Sequence, residues 1–122
     1  MNSNNKVLNL LSDLVKYESV TPDTSACQKY IDNFLSELGF KTEYIKYGDV
    51  QNIISTYGEK SPCLVFVGHT DVVPPGDLNQ WKTNPYTLLQ DNGMLIGRGA
   101  ADMKGGIACF MSAVKDYLSE QK

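Results

Sequence analysis

A single histidine, His69, stands two residues before Asp71 at the end of the apolar run 63–67. Side chains of an extended chain repeat their direction every second residue, so His69 and Asp71 lean to one side. Such a pair suits metal chemistry: one imidazole nitrogen binds a cation while a carboxylate holds the other and fixes the tautomer. A second acidic residue, Asp102, lies in Gly97-Arg98-Gly99-Ala100-Ala101-Asp102-Met103-Lys104-Gly105-Gly106. Glycines there leave the backbone open around a carboxylate at the mouth of a helix, where both oxygens can reach cations. Together the two segments read as half of a metal site. Each also has a plainer reading, His69 as a packed or surface histidine and Asp102 as a helix N-cap accepting backbone N–H groups.

The glycine run does not fit a nucleotide loop. Gly97-Arg98-Gly99 lacks a third glycine at the required offset, Asp102 stands where a phosphate would approach, and Lys104 is out of frame for a P-loop. Gly105 and Gly106 instead suit close packing at the helix start. Arg98 and Lys104 fit two roles equally, holding substrate anions or capping and solvating the turn.

Hydrophobic spacing gives the elements that must position these groups. Val7, Leu10, Leu11, Leu14 and Val15 predict a first helix ending before Ser19. A second is predicted from the N-cap Thr21, with Pro22 and Asp23 in its first turn and a stripe of Cys27, Tyr30, Ile31, Phe34, Leu35 and Leu38 closed by Gly39. Alternation over 41–47, a turn at Gly48-Asp49 and a partner over 52–57 predict a hairpin. The continuous apolar run 63–67 predicts a strand buried on both faces of a sheet. Trp81 and Tyr86 fall in a loop or short edge strands, 94–96 in a short strand, and Ile107, Phe110, Met111, Val114 and Leu118 on a third helix. The order predicts an α/β fold with both chemical segments after strands, where open sheets bind ligands.

The chain has 122 residues, 42% hydrophobic and 20% charged, which suits one small globular domain. A net charge of −3 without a basic cluster argues against nucleic acid or a membrane surface as partner. The start of the chain reads as neither a signal peptide nor a membrane span. Cys27, Cys63 and Cys109, an odd count without Cys-x-x-Cys spacing, predict reduced, buried thiols and a cytoplasmic protein.

Gly68-His69-Thr70-Asp71-Val72-Val73-Pro74 and Gly97 to Gly105 resemble the two signatures of the di-zinc amidohydrolases. That family holds carboxypeptidase G, aminoacylases, acetylornithine deacetylases and succinyl-diaminopimelate desuccinylases. The resemblance extends to Thr21-Pro22-Asp23, the loop 72–77, Trp81, Pro85-Tyr86 and Asn92-Gly93-Met94-Leu95. Within the family, Pro74-Pro75-Gly76-Asp77 and Arg98-Gly99-Ala100-Ala101-Asp102 are most similar to the desuccinylase branch. It implies a three-layer helix-sheet-helix sandwich with a mixed, mostly parallel sheet. It also implies two zinc ions, or cobalt in their place, with His69 a ligand to one, Asp102 the carboxylate bridging both, and Asp71 the catalytic-site acid that orients His69. The implied reaction is hydrolysis of N-succinyl-LL-2,6-diaminopimelate, a small-molecule substrate, to succinate and LL-2,6-diaminopimelate by a homodimer. An acetylornithine deacetylase or related aminoacylase is the enzyme alternative.

By the same resemblance, residues 1–122 are the N-terminal part of a catalytic domain. A glutamate pair, a further acidic ligand, a second histidine and a dimerisation domain are expected beyond Lys122. One histidine and one bridging aspartate cannot fill two zinc shells of four or more ligands each, so the isolated chain is expected to be inactive. Asp116 and Glu120 read as a solvated helix face rather than a substitute base. A catalytically dead fragment or interaction module is the corresponding non-enzyme reading.

Overall fold

A computed structural model describes residues 3–121. It is an α/β chain in which three helices enclose the core and two antiparallel hairpins lie around them. Helix α1, Ser3–Val15, follows the predicted stripe and buries Leu11, Leu14 and Val15. Helix α3, Gly105–Glu120, packs on α1 and contributes Ile107, Ala108 and Met111. Helix α2, Ser25–Glu37, adds Cys27, Ile31 and Leu35 to the same cluster. A fully buried Leu or Met side chain stabilises by about 1.5–3 kcal/mol, and Leu14 of α1 and Met111 of α3 are both at 0% exposure in the shared cluster. The face of α3 predicted to be solvated is in part tied down, because Lys6 of α1 pairs with Asp116 at 3.1 Å.

Helix α2 ends as its sequence dictates. Gly39 adopts φ +99, and the N–H groups of Gly39 and Phe40 donate to the carbonyls of Ser36 and Leu35, which occupies carbonyls left free at the helix end. Its start lies later than predicted: Thr24, not Thr21, is the N-cap residue. Thr21 is engaged elsewhere, its N–H donating to the Val72 carbonyl and its hydroxyl to Asp71, so 20–23 form a turn before the helix begins.

The predicted hairpin forms between β1, Lys41–Tyr47, and β2, Val50–Thr56, with Tyr44 opposite Ile53. It docks on α2 through Gln28, whose side-chain amide donates to the Gln51 carbonyl at 2.8 Å and accepts from the Gln51 amide at 3.0 Å. Strands β3, Leu89–Asp91, and β4, Met94–Ile96, form a second short pair. Only β4 of this pair was legible as a strand.

Residues 63–67 depart from expectation. They form no named strand, and Leu64, Val65 and Val67 are 98%, 71% and 82% exposed rather than buried on two faces. Apolarity records what a segment is able to bury, and no described backbone lies alongside to pair with it. Phe66 alone finds a partner, stacked on Phe110 with centroids 4.3 Å apart. Beyond it the chain makes one parallel bridge, Val20 to Val72, which ties the second half of the His69 segment to the α1–α2 connection. The cysteines also differ from expectation: Cys27 is buried, but Cys63 and Cys109 are exposed, and all three are free.

Candidate metal centre

The bridge to Val20 fixes the segment that carries His69 and Asp71. Val72 N–H donates to the Ser19 carbonyl at 2.9 Å, and the Ser19 hydroxyl donates to the Thr70 carbonyl at 2.7 Å. Within this frame His69 and Asp71 do lean together, with Nδ1 3.1 Å from the Asp71 carbonyl oxygen and 3.3 Å from its Oδ1. The closer partner is the main-chain oxygen, so Asp71 holds the ring through two acceptors. The Thr21 hydroxyl in turn donates to Asp71 Oδ2 at 2.6 Å.

Asp102 reaches the same point from the other signature. Gly99 takes φ +82, and a Cβ there would lie 2.5 Å from Val72 Cγ1, so only glycine brings this turn against the His69 segment. The turn continues through a kinked stretch, Ala100–Lys104, in which Asp102 leaves helical geometry at φ −131, ψ 94 and the Asp102–Met103 peptide bond is cis. Gly105 packs as its type suggested, since a Cβ would meet the Ala100 carbonyl oxygen at 2.5 Å. Asp102 is therefore not the helix cap; Lys104 holds that position, and the Asp102 carboxylate instead lies with Oδ1 2.9 Å from His69 Nε2. Met103 turns back, and its sulfur accepts from the His69 N–H at 3.3 Å.

The protonation of His69 follows from its partners. Both acceptors at Nδ1 are oxygens of Asp71, which assigns the proton of a neutral ring to Nδ1 and leaves a lone pair on Nε2. That lone pair faces a carboxylate oxygen at 2.9 Å, an arrangement that is repulsive unless a proton or a cation lies between them. Partial burial pulls the His69 pKa down, but the Asp71 carbonyl and the Asp102 and Asp71 carboxylates outweigh it, and the net shift is upward. Asp102 is 86% exposed and His69 47%, so the pair opens to solvent on the side where further ligands could join. The donor set, one imidazole and carboxylate oxygens, fits zinc or a similar divalent metal. Among the described residues no group of three or more His, Cys, Asp or Glu side chains is arranged to hold a metal by itself.

The two basic residues separate. Lys104 neither solvates the turn nor faces a ligand: it is wholly buried, and its ammonium donates to the Tyr17 carbonyl at 2.9 Å. Burial pushes its pKa down. Arg98 lies outside the His69 cluster, over the Trp81 ring. The supports from Ser19 and Thr21 had no signal in the spacing of the chemical residues, because they lie 51 and 50 positions from Thr70 and Asp71. Among the described residues, no helix is long and apolar enough to cross a membrane.

Over 112 residues the chain is 45% identical to the succinyl-diaminopimelate desuccinylase of Legionella pneumophila (strain Lens), spanning 92% of this chain and 30% of that protein. Over 115 residues it is 42% identical to the protein of the same name from Coxiella burnetii (strain Dugway 5J108-111), 94% of this chain and 31% of that one. The chain thus spans about a third of the length of these relatives. Its fold matches the crystal structure of human carnosine dipeptidase 1 with a TM-score of 0.86 at 24% identity, covering 98% of this chain and 30% of that one. Residues 65–122, which hold both signatures, match the model of Peptidase family M20/M25/M40.

Proposed function

We propose that the chain is the N-terminal part of the catalytic domain of a zinc-dependent amidohydrolase that cleaves N-succinyl-LL-2,6-diaminopimelate to succinate and LL-2,6-diaminopimelate. The observation that carries this reading is the 2.9 Å approach of His69 Nε2 to Asp102 Oδ1 with the Nδ1 proton committed to Asp71. The match of residues 65–122 to the Peptidase family M20/M25/M40 model and the similarity to proteins named succinyl-diaminopimelate desuccinylase support it.

In this reading His69 and Asp102 would hold the metal, His69 as a ligand to one zinc ion and Asp102 as a carboxylate shared by two. When bound, the metals supply the positive charge that polarises an amide carbonyl and acidifies water. The chain's own residues do the positioning. Asp71 keeps the Nδ1 proton in place, so that Nε2 offers its lone pair outward, and its negative charge raises the basicity of the ring. Thr21 fixes Asp71, and the Met103 sulfur and the Ser19 frame hold the His69 backbone. His69, Asp71 and Asp102 are fewer donors than two zinc shells require, so the remaining ligands and the general base come from other parts of the full-length protein. The isolated chain is inactive in this account. The full-length protein is a cytoplasmic homodimer, and its catalytic domain is a helix-sheet-helix sandwich with a mixed, mostly parallel sheet.

The test is an assay of the full-length protein on N-succinyl-LL-2,6-diaminopimelate and on N-acetylornithine, with and without chelator. Zinc-restored release of succinate supports the reading. Turnover of N-acetylornithine alone transfers it to the deacetylase branch, and chelator-resistant activity removes the metal from it.

A further inference from the structure

Arg98 and Trp81 form a feature that the metal centre does not use. The segment 75–81 and the end of β4 enclose an open groove of about 420 Å³, lined among others by Pro75, Asp77, Gln80, Trp81, Ile96 and Arg98. None of His69, Asp71 or Asp102 lines it. Its floor is fixed: the Trp81 indole N–H donates to the Pro75 carbonyl at 2.9 Å, and the guanidinium carbon of Arg98 lies 5.2 Å from the ring centroid. The Arg98 backbone N–H is tied to the Pro85 carbonyl at 2.7 Å, which anchors the base of the side chain.

The guanidinium is nevertheless unspent. Its Nε is buried with no acceptor among the described residues, and no described ion pair includes Arg98. A guanidinium offers five N–H donors in a fixed fork, and a carboxylate is the acceptor whose charge and shape match it. Asp77 lines the same groove, with Oδ1 accepting the Asn79 N–H at 3.0 Å and Oδ2 without a described partner. One cation and one anion thus flank an aromatic floor, in a volume within the usual range for small-molecule sites.

We propose that Arg98, Asp77 and Trp81 form a binding site for an α-amino-acid head group, its carboxylate on Arg98, its ammonium on Asp77 and its aliphatic chain across Trp81 towards Ile96. The site does not depend on the hydrolase reading. Trp81 is the only tryptophan of the chain, so its fluorescence reports on this groove alone. The test is titration of the 122-residue chain with L-norleucine, with hexanoate, which lacks the ammonium, and with pentylamine, which lacks the carboxylate. A saturable response to norleucine is expected, at least about tenfold tighter than to either control. Arg98→Met abolishes it, and Asp77→Asn reduces norleucine to the level of hexanoate. Asp77 is exposed and its replacement retains an acceptor for Asn79, so this second variant decides the matter even where Arg98→Met fails to fold. No saturable response to norleucine, equal binding of hexanoate, or norleucine binding unchanged in Asp77→Asn overturns the proposal.

Discussion

The ammonium of Lys104 donates a 2.9 Å hydrogen bond to the carbonyl of Tyr17, joining the turn that carries Asp102 to the end of α1 from 87 positions away. Lys104 is 0% exposed and lies among Leu14, Val15 and Cys27 in the group of most deeply buried side chains. The bond therefore sets where the Asp102 turn sits on the helical core.

Replacing Lys104 separates its bulk from its charge. Lys104→Ala leaves a cavity and an unpaired carbonyl, a loss of about 3 kcal/mol in unfolding free energy. Lys104→Met fills most of the volume and relieves the buried charge, so its loss stays near 1 kcal/mol. Urea denaturation of the two variants checks the order, and a Met variant as unstable as the Ala variant refutes it.

Tyr44 of β1 and Asp32 of α2 give the stability a defined acid limb. The Tyr44 hydroxyl donates to Asp32, Ser36 adds a second donor, and together they hold the Asp32 carboxyl down at about 2, against an ordinary 3.8. A depressed carboxyl stabilises fully above its unfolded pKa, and the contribution is lost as pH falls from about 4 towards 2. Tyr44→Phe is expected to cost about 1 kcal/mol at pH 6, with the difference from wild type fading over that acid window. The Tyr44 hydroxyl itself is pushed up to about 12 by Asp32, so a second loss of stability begins as pH rises above 10. Thermal melts of both proteins from pH 2 to 11 read these slopes.

Gly99→Ala tests whether the left-handed turn is required. The new methyl group meets Val72 Cγ1 at 2.5 Å, and φ +82 disfavours any side chain, so a loss of about 2 kcal/mol or more is expected. An exposed control such as Gly76→Ala shares the positive φ but meets nothing within 4 Å, and its loss stays near 1 kcal/mol. Equal melting temperatures for the two variants would contradict the packing argument.

Helix stripes and the hairpin were legible because period and turn chemistry are local properties. The boundary of α2 was not, because Thr21 was drawn into the Val72 bridge by a residue far along the chain. The exposure of the run 63–67 has a related reason: strand burial depends on what lies beside the segment, and its composition does not contain that information. In the site, the pairing of His69 with Asp71 was readable from a two-residue spacing, whereas the reach of Asp102 to His69 required the Gly99 turn to close on Val72. Lys104 was ambiguous in sequence, since burying an ammonium depends on a carbonyl 87 positions away.

The central claim is that His69 Nε2 and Asp102 receive a divalent metal. With one histidine in the chain, a long-range ¹H–¹⁵N spectrum shows a single imidazole, and zinc can be titrated against it without any catalytic assay. The account predicts a saturable zinc-induced shift of Nε2, with the proton retained on Nδ1, and an affinity about tenfold or more weaker in Asp102→Asn. A shift at Nδ1 instead, or zinc binding to His69 that is unchanged in Asp102→Asn, would contradict it.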